Sequence, residues 1–246
     1  MTYCSLICNA RVIFASLTGG FVNLVYCSLE PTLALRLEDY PKLDQLTIGL
    51  IFGIQPLMYM LGTIFSPYIF PKWMEIRVTL ISCLIGLGAS MLLVGPIYPD
   101  TNLAVMLVGL LLSGAFMGPL IIPNMAEMMH ATKEAYPRCD LDHANSLLSG
   151  LFNCSMSLGQ AAGPLAGSAI YQLANFQTMC DSIGFSVLAF TLLYIICANG
   201  CAAIQKTCAN YKTRNDSKQL SVQEQIEEEL CSLRHSSRFR SMVIST

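Results

Sequence analysis

Glu30 is the residue whose surroundings most invite a chemical reading. It stands between Leu29 and Pro31 in a long apolar stretch. A carboxylate in hydrocarbon is costly, and ionisable residues at that depth usually face a cavity and do work. Asn23 lies seven residues earlier, with Tyr26 and Cys27 between them, and helical spacing gathers all four on one face. Pro31 frees a backbone carbonyl that cavity water or a neighbouring helix can satisfy. Two readings stand at this point. Glu30 holds a proton or a cation in a cavity, or it is a structural partner, bonded across helices or paired with Arg36.

Other polar residues repeat at helical spacing. Gln55, Tyr59, Gly62 and Ser66 form one stripe, and Ser146, Ser149, Asn153, Ser157, Gln160, Pro164 and Gly167 form another. Such a stripe either lines water or lets helices approach closely through small residues. Gly159, Gly163 and Gly167 read as packing positions, whereas Asn153 and Gln160 suit either role. Pro119 and Pro123, with Pro164 further on, suggest the broken or kinked helices found near binding sites in transporters. Glu127 closes the apolar stretch that contains Pro119 and Pro123, as a boundary charge or a gating group.

Catalytic patterns are missing. His130, His143 and His235 carry no H-E-x-x-H spacing for zinc, and neither a Walker A motif nor a G-x-S-x-G elbow occurs. Neither an enzyme nor a cofactor is expected.

The elements that must position these residues follow from composition. Of 246 residues, 54% are hydrophobic and 12% charged, about half the charge of a soluble domain, where roughly 25% is usual. Mean hydropathy is +0.54. A net charge of −2 offers no basic footprint for nucleic acid. The partner is a lipid bilayer. Uncharged stretches cover 12–29, 45–71, 78–99, 101–126, 144–180 and 182–205, and a helix needs about 20 apolar residues to cross hydrocarbon. Six spans are expected, at roughly 12–37, 46–70, 78–96, 102–126, 145–171 and 178–204, the longest gap being one helix followed by a polar turn.

This divides the chain into an N-terminal segment (1–11), a six-helix membrane unit (12–204) and a polar tail (205–246). Twelve of the 14 basic residues fall on the side of the termini, leaving Arg36 and Lys42 opposite, which makes both termini cytoplasmic. A removable signal peptide is not expected. The 11 cysteines lack any C-x-x-C pair and read mainly as small core residues, with Cys201 and Cys208 as candidates for acylation. The sequons at Asn153 and Asn215 are not expected to be glycosylated. In the tail, Ser221 and Glu224 have capping-box spacing ahead of a short amphipathic helix, and Ser236, Ser237 and Ser241 are weak phosphosite candidates.

Several runs carry a resemblance. Leu29-Glu30-Pro31-Thr32-Leu33 resembles the seventh helix of the vesicular amine transporter family, in the major facilitator superfamily. Ser113-Gly114-Ala115-Phe116-Met117-Gly118, then Ile121-Ile122-Pro123 and Glu127, is similar to the tenth helix of its polyamine branch. Leu148-Ser149-Gly150-Leu151-Phe152, then Gly159, Gly163-Pro164 and Gly167, is similar to the eleventh. The likeness covers about residues 12–200. It implies that Glu30 occupies the acidic position of helix seven and Glu127 the acid ending helix ten. Gly118 and Asn153 stand where monoamine carriers place aspartates, which suits the polyamine branch better. Only Gly62, Lys72 and Arg77 echo the superfamily's gating loop.

The expected fold is an all-α integral membrane unit, six transmembrane helices forming the C-terminal half of a major facilitator fold. The resemblance implies proton-coupled antiport of organic cations such as amines or polyamines, into vesicles or acidic organelles. Glu30, Asn23, Gln55, Tyr59, Asn153 and Gln160 are the expected substrate and proton contacts. Pro31, Pro123, Glu127, Gly159, Gly163, Pro164 and Gly167 serve packing and gating. The expected partner is a missing six-helix half or another copy of the chain. The alternatives are another solute on the same fold, or a non-transporting assembly protein or truncated product.

Overall fold

The computed structural model describes residues 6–38, 44–70, 74–95, 103–137, 140–198, 200, 202–207 and 209–210. The tail helix at Ser221, the sequon at Asn215, the three tail serines, Cys201, Cys208, Lys42, Lys72 and Arg138 lie outside the described residues.

Among the described residues six long helices follow one another: α1 (Ala10–Glu38), α2 (Gln45–Ile69), α3 (Ile76–Val94), α4 (Leu103–Ala135), α5 (Leu141–Leu173) and α6 (Phe176–Cys197). Their starts are capped as their residue types suggest. Asp44 accepts from the Gln45 amide, Asp140 from that of Asp142, and Asn175 from that of Thr178 at 2.8 Å. Asn175 and Ala174 thus form the polar turn that splits the long uncharged gap.

All but α5 are long and apolar enough to cross a membrane. In α5 the amides and serines at 145, 146, 149, 153, 157 and 160 dilute the apolar run. Two expectations need correction. Glu127 does not end α4, which continues to Ala135, because Lys133 and Glu134 are charged yet good helix formers. Of the broken or kinked helices expected at Pro119, Pro123 and Pro164, the broken form is absent, since α4 and α5 run through these prolines. In apolar surroundings a broken helix would orphan further backbone groups, so only the bond that proline itself forbids is lost.

α4 packs on α1, α2 and α3, while α1 makes its most extensive contact with α5 and α3 joins α6. The largest core cluster includes Leu80, Leu84 and Leu87 of α3, Leu110 and Leu120 of α4, and Val187 and Phe190 of α6. Phe190 stacks on Phe21 of α1 with ring centroids 4.2 Å apart.

The α1–α5 contact is a seam of small residues, as association inside lipid favours. A Cβ on Gly159 would drive into the Gly20 carbonyl, one on Gly163 would lie 2.8 Å from the Leu24 carbonyl, and one on Gly167 would lie 3.0 Å from the Ser28 Cβ. Pro164 is half-buried beside this seam, and Pro31 is half-buried on α1. By contrast, few residues of α2 and α5 are buried, so both turn broad faces outward.

Candidate functional site

Midway along α1, α2, α4 and α5 lies a cavity of about 370 Å³, within the range that takes a small organic ligand, roughly 300–1,000 Å³. α1 supplies Val22, Asn23 and Tyr26, and α2 supplies Pro56 and Tyr59. α4 adds Met117 and Ile121, and α5 adds Met156. The Asn23 side-chain amide donates back to the Gly19 carbonyl at 3.2 Å. Tyr26 lies one turn before Glu30 on the same helix, within electrostatic reach of its carboxyl group. Glu30 itself is exposed, so Tyr26 stands between the cavity and a reachable carboxylate.

Of the remaining expected contacts, Gln55 is buried and donates towards Ser113 Oγ at 3.4 Å and Met117 Sδ at 3.8 Å, tying α2 to α4. Its amide backs the wall to which Met117 contributes. Asn153 and Gln160 are exposed on α5, as is Ser157, and lipid offers an amide no partner. The structure therefore brings Asn23, Tyr26 and Tyr59 together with Glu30 close by, and leaves Asn153 and Gln160 on an outward face.

A second polar region sits at the end where α1 and α3 begin and α4 and α6 finish. Glu127 is only 3% exposed. The Arg11 guanidinium grips its carboxylate, with Nη2 at 2.7 Å and Nε at 3.2 Å from Oε1, and Arg77 Nε lies 3.6 Å from the same oxygen. Arg77 also donates to the Ala198 carbonyl at 3.3 Å, and Arg11 pairs outward with exposed Glu134. Lys206 reaches Glu75 at 2.6 Å. One carboxylate on α4 thus joins the starts of α1 and α3, and through Arg77 the residue after α6. Beside it, Asn124 is fully buried, and its amide has no hydrogen-bond partner among the described residues.

Sequence reasoning named Glu127 but missed its counter-ions, because Arg11 lies 116 residues away and read only as a topology marker. It also missed Met117, Ile121 and Met156, whose types do not distinguish a cavity wall from ordinary core. Pro123 lies half-buried in α4, one residue before Asn124.

No family model matches the chain. It is similar to the MFS-type transporter SLC18B1 of Homo sapiens, with 29% identity over 177 residues, covering 68% of this chain and 38% of that protein. The chain therefore spans well under half the length of this relative. The likeness supports the major facilitator superfamily, and together with the apolar helices it supports a multi-pass membrane protein.

Proposed function

We propose that this chain forms one six-helix half of a secondary transporter that exchanges organic cations, amines or polyamines, for protons. The observation that carries this reading is the cavity among α1, α2, α4 and α5, whose wall residue Tyr26 stands one turn before the exposed Glu30 on the same helix. A carboxylate can accept a proton or pair with an ammonium, but not both at once. That exclusion is a physical basis for antiport when one side of the membrane is acidic. The similar human protein is a transporter by name, and the motif around Glu30 points the same way. The polar outward face of α5 supplies the surface on which a second six-helix half, or another copy, would close the path. The basic asymmetry favours cytoplasmic termini, and the coupling chemistry favours a vesicle or acidic organelle membrane.

The test is to reconstitute the full-length protein in proteoliposomes and follow amine uptake driven by an imposed pH gradient. Glu30→Gln keeps shape and hydrogen-bonding capacity but removes the titrating charge, so uptake should fall to background. Glu30→Asp should keep part of it. Normal gradient-driven uptake by well-folded Glu30→Gln protein overturns the coupling role. If the wild-type protein transports nothing, the outward face of α5 instead favours an assembly protein.

A further inference from the structure

We propose that Asn124 holds buried water against the second oxygen of Glu127, completing the bonding of a carboxylate that the arginines serve on one side. The inference does not draw on the transport reading and stands or falls apart from it.

Asn124 is 0% exposed, and neither end of its amide has a hydrogen-bond partner among the described residues. Asn23 shows what an amide on a membrane helix can do instead, turning back to the Gly19 carbonyl one turn away. Asn124 makes no such bond. An amide taken out of water without a replacement partner is costly, so buried polar groups are almost always bonded to protein or to ordered water.

The nearest charged group along α4 is Glu127. Its described contacts all reach one oxygen: Arg11 Nη2 lies 2.7 Å, Arg11 Nε 3.2 Å and Arg77 Nε 3.6 Å from Oε1. Oε2 receives none of them, although each carboxylate oxygen has two lone pairs to offer. The Glu127 side chain is 4% accessible, so a water-sized sphere does reach it. Asn124 and Glu127 are three residues apart, which on a helix sets their Cβ atoms about 5–6 Å from each other. One water with two hydrogen bonds of about 2.8 Å spans that gap.

A second unpaired group lies in the same region. Tyr194 of α6 is fully buried, its hydroxyl has no partner among the described residues, and it stands within electrostatic reach of Glu127. The Asn124 amide, Glu127 Oε2 and the Tyr194 hydroxyl together supply the two to four polar partners that an internal water needs. Water there donates to Oε2 and accepts from the amide N–H. Asn124 is then a positioning residue, acting on the ion cluster through the water it holds.

The experiment is X-ray radiolysis of the full-length protein in lipid nanodiscs, with methionine oxidation read by mass spectrometry. Hydroxyl radicals form where water is bound and oxidise the sulfur beside it. Met128, Met91 and Met179 are each 0% exposed, but only Met128 sits one turn from Asn124. Met91 and Met179 belong to the large apolar core. Met128 should oxidise several-fold faster than either, and Asn124→Leu should bring it down to their rate while exposed Tyr68 is labelled as before. Equal rates for the three methionines in the wild-type protein would overturn the proposal, and that comparison decides even where the variant folds poorly. Fast Met128 oxidation that survives in folded Asn124→Leu protein would overturn the role of Asn124.

Discussion

Two glutamates, Glu30 and Glu127, sit on helices of the same bundle and could hardly be treated more differently. Glu127 is buried and gripped by Arg11, with Arg77 behind it. Glu30 is exposed, one turn after Tyr26 of the cavity wall. A buried charge survives only when paired and bonded, so the Glu127 region is committed to one arrangement that fastens several helix ends together. The Glu30 region keeps its carboxylate uncommitted beside a cavity. Rigidity at one level of the bundle and availability at another are what the transporter half proposed above would require.

The comparison breaks most readily at Glu127. Glu127→Gln leaves the two arginines facing a neutral amide, and breaking a buried pair by removing one partner costs about 3–5 kcal/mol. Thermal unfolding of the detergent-solubilised protein should show this loss, along with a lower yield of folded material. A variant as stable as wild type would mean that Glu127 is an ordinary boundary charge. The next largest effect is expected at the α1–α5 seam. Gly159→Leu places a side chain where the Gly20 carbonyl already lies, and overpacking of this kind costs about 1–3 kcal/mol. The same unfolding assay should register it, with the cavity disturbed as well because α1 and α5 both line it.

Much of the fold was legible because charge and lipid do not mix. Uncharged stretches marked all six helices, and the polar turn after residue 171 became the cap at Asn175. The errors came where that logic stops. A helix does not end where its charges begin, so α4 outran its apolar stretch past Glu127. Of the broken or kinked helices expected at the prolines, the broken form is absent from α4 and α5, where a break would leave more backbone unpaired. Site legibility divided the same way. Asn23, Tyr59 and Glu30 stood out as polar groups in apolar surroundings, and the glycines at 159, 163 and 167 by their spacing. The pairing of Arg11 and Arg77 with Glu127 depends on which helix ends meet, and nothing local in the chain encodes that. Gln55 shows the opposite limit: polar and correctly spaced for a cavity, it is spent on holding Ser113 of α4.

The smallest expected effect is the most discriminating. Glu30→Gln should change unfolding stability by no more than about 0.5 kcal/mol, the usual range for surface substitutions away from caps, cores and buried networks. Glu30 lies exposed, and a glutamine there keeps the same shape. The same substitution is expected to abolish proton-driven uptake, so stability and function should separate completely at this position. At Glu127 they should fall together, because lost rigidity removes both. A structural Glu30, paired with Arg36 to hold the bundle, predicts instead that Glu30→Gln and Arg36→Gln lower stability alike. Measuring unfolding for these two variants beside Glu127→Gln decides whether the two glutamates differ in kind or only in degree.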